Sequence, residues 1–271
     1  MPEYSSSPQV SDGGLYRSLT IQRRVVAALL AREILTRYGR HNIGFLWLFV
    51  EPMLFTVGIT TLWTITKAVH GSNLPIVAFA LTGYSSVLLW RNMPHRCIGA
   101  ILPSLSLMFH KNVKVIDIFV SRLVLEMAGA SVSFVVLSIF FISIGWLDPP
   151  EDLLEVLLGW GLLAWFGWAI AMLLGALSEQ SEIVEKLWHP AAYLLFPLSG
   201  AAFMVDALPK AAQDLVLFIP MVHGVEMVRE GYFGSRFIAH YNMYYLISVC
   251  SVLTLFAMAK VRAVSRNVVP E

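Results

Sequence analysis

The chain has 271 residues, of which 57% are hydrophobic and only 14% charged. That balance is too apolar for a soluble domain of this length and points to a protein whose surface meets lipid. A formal net charge of +1 conceals a strong asymmetry in where the basic residues fall, and no nucleic-acid partner is expected.

Residues 1–14, with Ser5, Ser6, Ser7, Pro8, Asp12, Gly13 and Gly14, have the composition of a disordered tail. Nothing before residue 40 reads as a cleaved signal peptide, because charge interrupts every apolar stretch there. From 15 to 42 the chain is helix-prone and moderately amphipathic. Val25, Val26, Leu29 and Leu30 share one side, with Arg24, Ala27, Ala28 and Ala31 towards the other. A basic helix directly ahead of an apolar stretch reads either as a topology anchor or as an element lying in the headgroup layer.

Six windows then approach the roughly 20 apolar residues that cross a hydrocarbon core about 30 Å thick: 45–66, 74–90, 123–147, 153–177, 187–205 and 241–259. The expected fold is all-α, with six transmembrane helices in a domain spanning 43–262 and a short tail over 263–271. If the N-terminus is cytoplasmic, fifteen of the nineteen basic residues lie inside; Lys67, Lys210, Arg229 and Arg236 lie outside. Lys and Arg resist translocation, so both termini are predicted to be cytoplasmic. On that topology Cys97 falls in a cytoplasmic loop and Cys250 in the last span, too far apart in environment for a disulfide or a shared metal.

The stretch from Arg91 to Arg122 is the longest inside loop, mixing Met108, Phe109, Ile116, Ile118 and Phe119 with Lys111, Lys114 and Asp117. It reads equally as a seat for a partner and as a surface helix on the bilayer. Between the fifth and sixth windows, Leu208-Pro209 opens an outside segment, and the apolar run from Leu215 to Val225 is too short to cross. A re-entrant or short-helix hairpin fits it, and such backbone must be covered by protein or line a wet cavity.

Several side chains could carry function. Glu51 lies inside the first window, one turn after Trp47 and directly before Pro52. An acid there costs roughly 2.5–3.5 kcal/mol on insertion scales, so it is either paired near the interface or part of a polar pathway. Arg122 stands four residues before Glu126 and is placed to pair with it. Tyr84, Trp165 and Trp168 lie deep in their spans and offer aromatic faces, either to a sugar or to neighbouring helices. Trp63, Trp90, Trp146 and Trp160 fall near span ends, where an aromatic belt is expected. His223, Glu226 and Arg229 recur every three residues on one broad helical face; they suit gating, contact with an anionic ligand or a salt-bridge network, and no metal site is expected. No lysine follows a glycine, so a phosphate-binding Gly-x-x-x-x-Gly-Lys-Ser/Thr loop is absent. Any ATP and Mg must be bound by another chain, and no cofactor is expected in this one.

At Arg37-Tyr38-Gly39-Arg40-His41-Asn42-Ile43-Gly44-Phe45-Leu46-Trp47, followed by Glu51-Pro52, the chain resembles the permease subunit of ABC-type polysaccharide exporters, most closely the capsular polysaccharide branch. Phe196-Pro197-Leu198-Ser199-Gly200 with Leu208-Pro209, and the run from Pro220 to Phe233, extend the resemblance over nearly the whole chain. It implies a homodimer in the bacterial inner membrane, paired with separate ABC ATPase subunits, that moves a lipid-linked polysaccharide outward. A periplasmic polysaccharide co-polymerase and an outer-membrane exporter are implied as further partners. On this resemblance Arg32, Arg37, Tyr38 and Arg40 belong to a gate helix. Phe109, Lys111, Lys114 and Asp117 belong to an ATPase-coupling element, and His223, Glu226 and Arg229 to an exit segment. Trp47, Glu51, Tyr84, Trp165 and Trp168 are the candidates for the substrate pathway. Export of O-antigen or teichoic acid is the alternative cargo; a polytopic enzyme acting on lipid-linked sugars, or an energy-independent channel, is the alternative class.

Overall fold

The computed structural model describes residues 14–38, 42–66, 74–109 and 113–268. Of the tail expected over 1–14, Gly14 opens α1; the rest, together with Arg40 and Lys111, lies outside the described residues. Ten α-helices and two short 3-10 turns make up the described chain: α1 Gly14–Tyr38, α2 Asn42–Thr66, α3 Ile76–Cys97, α4 Leu105–Met108, α5 Val115–Ser143, α6 Leu153–Ser178, α7 Ile183–Leu198, α8 Lys210–Val216, α9 Pro220–Phe233 and α10 Met243–Val268.

The segments Leu46–Thr66, Val115–Ser143, Leu153–Ser178 and Met243–Asn267 are long and apolar enough to cross a membrane. The pair Lys210–Val216 and Pro220–Arg236, bent by 107°, raises the number to five if it counts as one span. The windows expected at 74–90 and 187–205 fall on α3 and α7, which lie below that standard for physical reasons. α3 is long enough, at about 1.5 Å per residue, but it is buried on every side from Ala78 to Trp90. A helix enclosed by protein does not need a lipid-facing composition. Its Thr82 and Ser86 hydroxyls donate to the carbonyls of Ala78 and Thr82, at 2.8 and 2.6 Å. α7 has only 16 residues and contains Pro190 and Pro197; its chain then continues through irregular backbone, with Gly200 at φ +82°.

Other boundaries move as well. α3 runs on to Cys97 and α5 begins at Val115, so the expected loop from Arg91 to Arg122 contracts to Ile98–Lys114. Charged residues that resembled a loop are the polar ends of two long helices. Cys97 accordingly closes α3, and both it and Cys250 are free and buried. At the other terminus α10 stays helical to Val268, through most of the expected tail.

Local chemistry sets these ends. Asp117 Oδ2 accepts from the Lys114 backbone N–H at 2.9 Å at the start of α5, and Asp152 Oδ1 accepts from Leu154 and Glu155 N–H at the start of α6. Within α2, Thr56, Thr60 and Thr64 each return a hydroxyl hydrogen to the carbonyl four residues back, which hides three polar groups. Ser133 of α5 donates to Phe49 O at 2.8 Å and locks α2 onto α5 beside Pro52.

α6 is central and packs against α3, α9 and α10. Its approach to α3 is close: a Cβ on Gly167 would lie 2.8 Å from Trp90 Cα. Trp90 is fully buried, and Trp160 stacks on Phe134 at 4.5 Å; both belong to the core rather than to an interfacial belt. α1 lies across α5, turning Leu29 inward while Arg24, Ala27 and Ala28 stay exposed.

Candidate functional site

A cavity of about 240 Å³ opens between α2, α3, α5 and α7. Its wall is largely polar. Glu51 and Pro52 come from α2, Arg91, Asn92, His95 and Arg96 from α3, Glu126 from α5, and Tyr193 from α7. The spacing does this simply: Arg91 and His95, like Asn92 and Arg96, are four apart and so lie one above the other on a helix. Arg96 Nε donates to Glu126 Oε2 at 2.9 Å, and Arg96 keeps a third of its side chain open to the cavity. Arg91 stands over the Tyr193 ring at 5.8 Å. His95 meets the His189 ring edge-on at 4.9 Å. Arg122, expected to pair with Glu126, reaches instead to Glu33 of α1 at 3.5 Å and to Arg96 O at 3.0 Å. Three cationic or imidazole groups, two carboxylates and an aromatic face thus converge on one concave surface, suited to a polar, anion-bearing chain and hostile to lipid tails.

The five expected pathway residues divide. Glu51 lines the cavity, and Trp47 stands exposed one turn earlier on α2. Tyr84, two turns before Arg91 on α3, is nearly buried and meets Phe196 edge-on at 5.7 Å. Trp165 and Trp168 are elsewhere, in an apolar groove between α5, α6 and α10. The Arg91–Arg96 cluster and Tyr193 were missed by sequence reasoning. The signal available was helical spacing of polar residues continuing an apolar window, masked by Pro94, which reads as a helix end.

The exit-segment residues are the framework of α9. His223 Nε2 donates to Leu217 O at 2.8 Å, and its Nδ1 accepts from Asn242 N–H at 2.9 Å, which fixes a neutral tautomer. Glu226 is fully buried and accepts from the backbone N–H groups of Val205 and His240. Arg229, also fully buried, donates to the carbonyls of Gly200, Ala201 and Phe203 at 2.6–2.8 Å and lies 3.8 Å from the Phe79 ring centroid. All three therefore tie irregular backbone to α9, which answers the requirement that non-helical backbone inside a membrane protein be satisfied by protein. Gly83 admits this arrangement, since a Cβ there would lie 2.5 Å from Arg229 Nη2 and from Ala201 O. Nearby, outside the spanning segments, burial and hydrogen bonds to Glu230 and Glu155 push the Tyr241 hydroxyl up from its ordinary pKa.

Among the coupling residues, Phe109 is exposed after α4 and Lys114 is exposed at the N-cap of α5. Asp117 is buried and hydrogen-bonded to Gln22 of α1, so it faces inward rather than towards a partner. Arg32 is exposed on α1, and Arg37 and Tyr38 lie in its last turn.

Helices able to cross a bilayer, with a charged cavity built among them, define a polytopic membrane protein of the permease kind. Residues 24–233 match the ABC-2 type transporter family, and the chain belongs to it. It is 45% identical over 256 residues to the capsule polysaccharide export inner-membrane protein CtrC of Neisseria meningitidis serogroup B, covering 94% of this chain and 97% of that one. Similarity to the capsule polysaccharide export inner-membrane protein BexB of Haemophilus influenzae is 42% over 255 residues, 94% of this chain and 96% of the relative. The polysialic acid transport protein KpsM of Escherichia coli is 26% identical over 243 residues, 87% of this chain and 91% of the relative.

Proposed function

We propose that this chain is the membrane subunit of an ATP-driven exporter that moves lipid-linked capsular polysaccharide across the bacterial inner membrane. The observation that carries the reading is the cavity bounded by Glu51, Arg91, His95 and Tyr193 among membrane helices, in a member of the ABC-2 family whose relatives bear capsule-export names. A charged sugar polymer cannot enter hydrocarbon, so its route needs such groups, and one 240 Å³ cavity is too small to be a whole channel. Two copies facing each other complete it. The exposed apolar faces of α2 and α7, including Leu46, Phe55, Leu187, Tyr193 and Leu194, flank the cavity and suit that contact.

In this reading α3 and α7 join the four longer helices to make six traversals, with both termini in the cytoplasm and α1 along the membrane surface as a gate. The loop Ile98–Lys114 seats a separate ATPase that holds ATP and Mg, and this chain needs no cofactor of its own. A periplasmic co-polymerase and an outer-membrane exporter carry the polymer onward. Arg91 and His95 guide anionic groups on the cargo; Glu51 keeps that face from binding them too tightly.

Complementation tests this. In a capsulated strain deleted for its membrane subunit, the wild-type chain restores surface polysaccharide and co-purifies with the ATPase. The chain purified alone hydrolyses no ATP. Robust hydrolysis by the single chain, or restored capsule by a strain lacking the ATPase, overturns the assignment.

A further inference from the structure

Trp165 and Trp168 line a groove that the polymer route does not use. It holds about 470 Å³ between α5, α6 and α10 and is walled by Met127, Met172, Ala257 and the two tryptophans. The indole N–H groups are already engaged, Trp165 Nε1 with Thr254 Oγ1 at 3.0 Å and Trp168 Nε1 with Met172 Sδ at 3.1 Å, which leaves an apolar wall. A second groove of about 560 Å³ adjoins it and shares Ile116 and Met258 with it. This one carries Lys114, Arg262 and Arg266, with Ser265, at the basic end of α10. No carboxylate lines it, and among the described residues none of the three cations has an ion pair. Asp117, the acid nearest in sequence, is turned to the Lys114 backbone N–H and to Gln22.

We propose that the two grooves together are a binding site for one resident anionic glycerophospholipid, its phosphate among Arg262, Ser265 and Arg266 and its acyl chains along Ile116, Met258 and Trp168. The dimensions agree. From Thr254 to Arg266 the helix rises about 18 Å at 1.5 Å per residue, which matches one leaflet of a core about 30 Å thick with its headgroup layer. Charge decides the headgroup, because each Lys or Arg near the surface favours an anionic lipid over a zwitterionic one. The site lies apart from the Glu51 cavity, so a lipid seated here supports the α5–α10 cleft without blocking the cargo.

Native mass spectrometry of the full chain, delipidated and then titrated with phosphatidylglycerol or phosphatidylcholine, tests the site. Wild-type protein retains one phosphatidylglycerol in clear preference to phosphatidylcholine. The double variant Arg262→Gln/Arg266→Gln retains roughly thirtyfold less phosphatidylglycerol and the same amount of phosphatidylcholine. Gly161→Leu fills the apolar groove from a position whose Cβ meets no atom within 4 Å; it lowers retention of both lipids while the protein elutes as wild type. Equal retention of the two lipids by wild-type protein overturns the proposal, as does wild-type retention by either variant. Loss of ATPase co-purification in the arginine variant with phosphatidylglycerol retention intact also overturns it, and assigns the surface to the ATPase.

Discussion

Arg229 is a fully buried cation whose hydrogen bonds all go to backbone carbonyls. Its guanidinium spans three carbonyls that irregular backbone after α7 leaves without helical donors, and Phe79 covers its face. Arg229→Ala strands these acceptors at about 1–3 kcal/mol each, so the expected loss is about 3 kcal/mol or more. The measurement is the thermal midpoint by fluorescence-detected size exclusion, with less folded protein recovered. Arg229→Lys lies between, because one ammonium cannot span a fork of acceptors as a guanidinium does. A wild-type midpoint for Arg229→Ala removes the structural role and restores a ligand role for the residue. The cavity residues behave oppositely. Arg91→Gln and Glu51→Gln, half-buried and exposed respectively, leave the midpoint within about 0.5 kcal/mol equivalent while surface polysaccharide falls severalfold. Unchanged export in both variants takes the cavity off the route.

At the scale of elements, α3 explains both what could be read in the sequence and what could not. α2, α5 and α10 announce themselves because much of each is left uncovered by protein and is apolar, and α6 because its long run is apolar on every face. α3 is enclosed, so Thr82, Ser85 and Ser86 are admitted and its hydropathy falls. Its last turns carry Arg91 to Arg96 because they face a cavity, and that polarity imitates a loop. The bend between α8 and α9 was legible from Leu208-Pro209 and a short apolar run; the pins that hold it were not, since backbone acceptors leave no side-chain signature. Likewise, Arg122 before Glu126 fits a helical pair, but tertiary packing brings Arg96 to the acid across 30 positions. That cross-helix pair is testable. Arg96→Gln and Glu126→Gln each lower the thermal midpoint, and the double variant costs less than the two singles together, with a coupling of about 0.5–3 kcal/mol. Strict additivity means the pair does not join α3 to α5.

For the whole molecule, the distribution of basic charge predicts an orientation that the buried cysteines make easy to measure. Cys97 and Cys250 are both fully enclosed, so the wild-type chain is expected to resist a membrane-impermeant maleimide applied to intact spheroplasts and offers a silent background. Asp148→Cys, in the exposed connection between α5 and α6, and Lys210→Cys, at the start of α8, react from outside. Arg266→Cys near the end of α10 reacts only after the membrane is opened. This pattern is the one expected if fifteen of the nineteen basic residues lie inside and four outside. It also requires α7 to cross, because Asp148 and Lys210, on either side of α6 and α7, face the same side only if both of those helices complete their passage; α3 must cross as well for an N-terminus inside. Labelling of Asp148→Cys from outside together with Arg266→Cys from outside breaks that alternation, and with it the proposed six-traversal subunit and the proposed two-copy route.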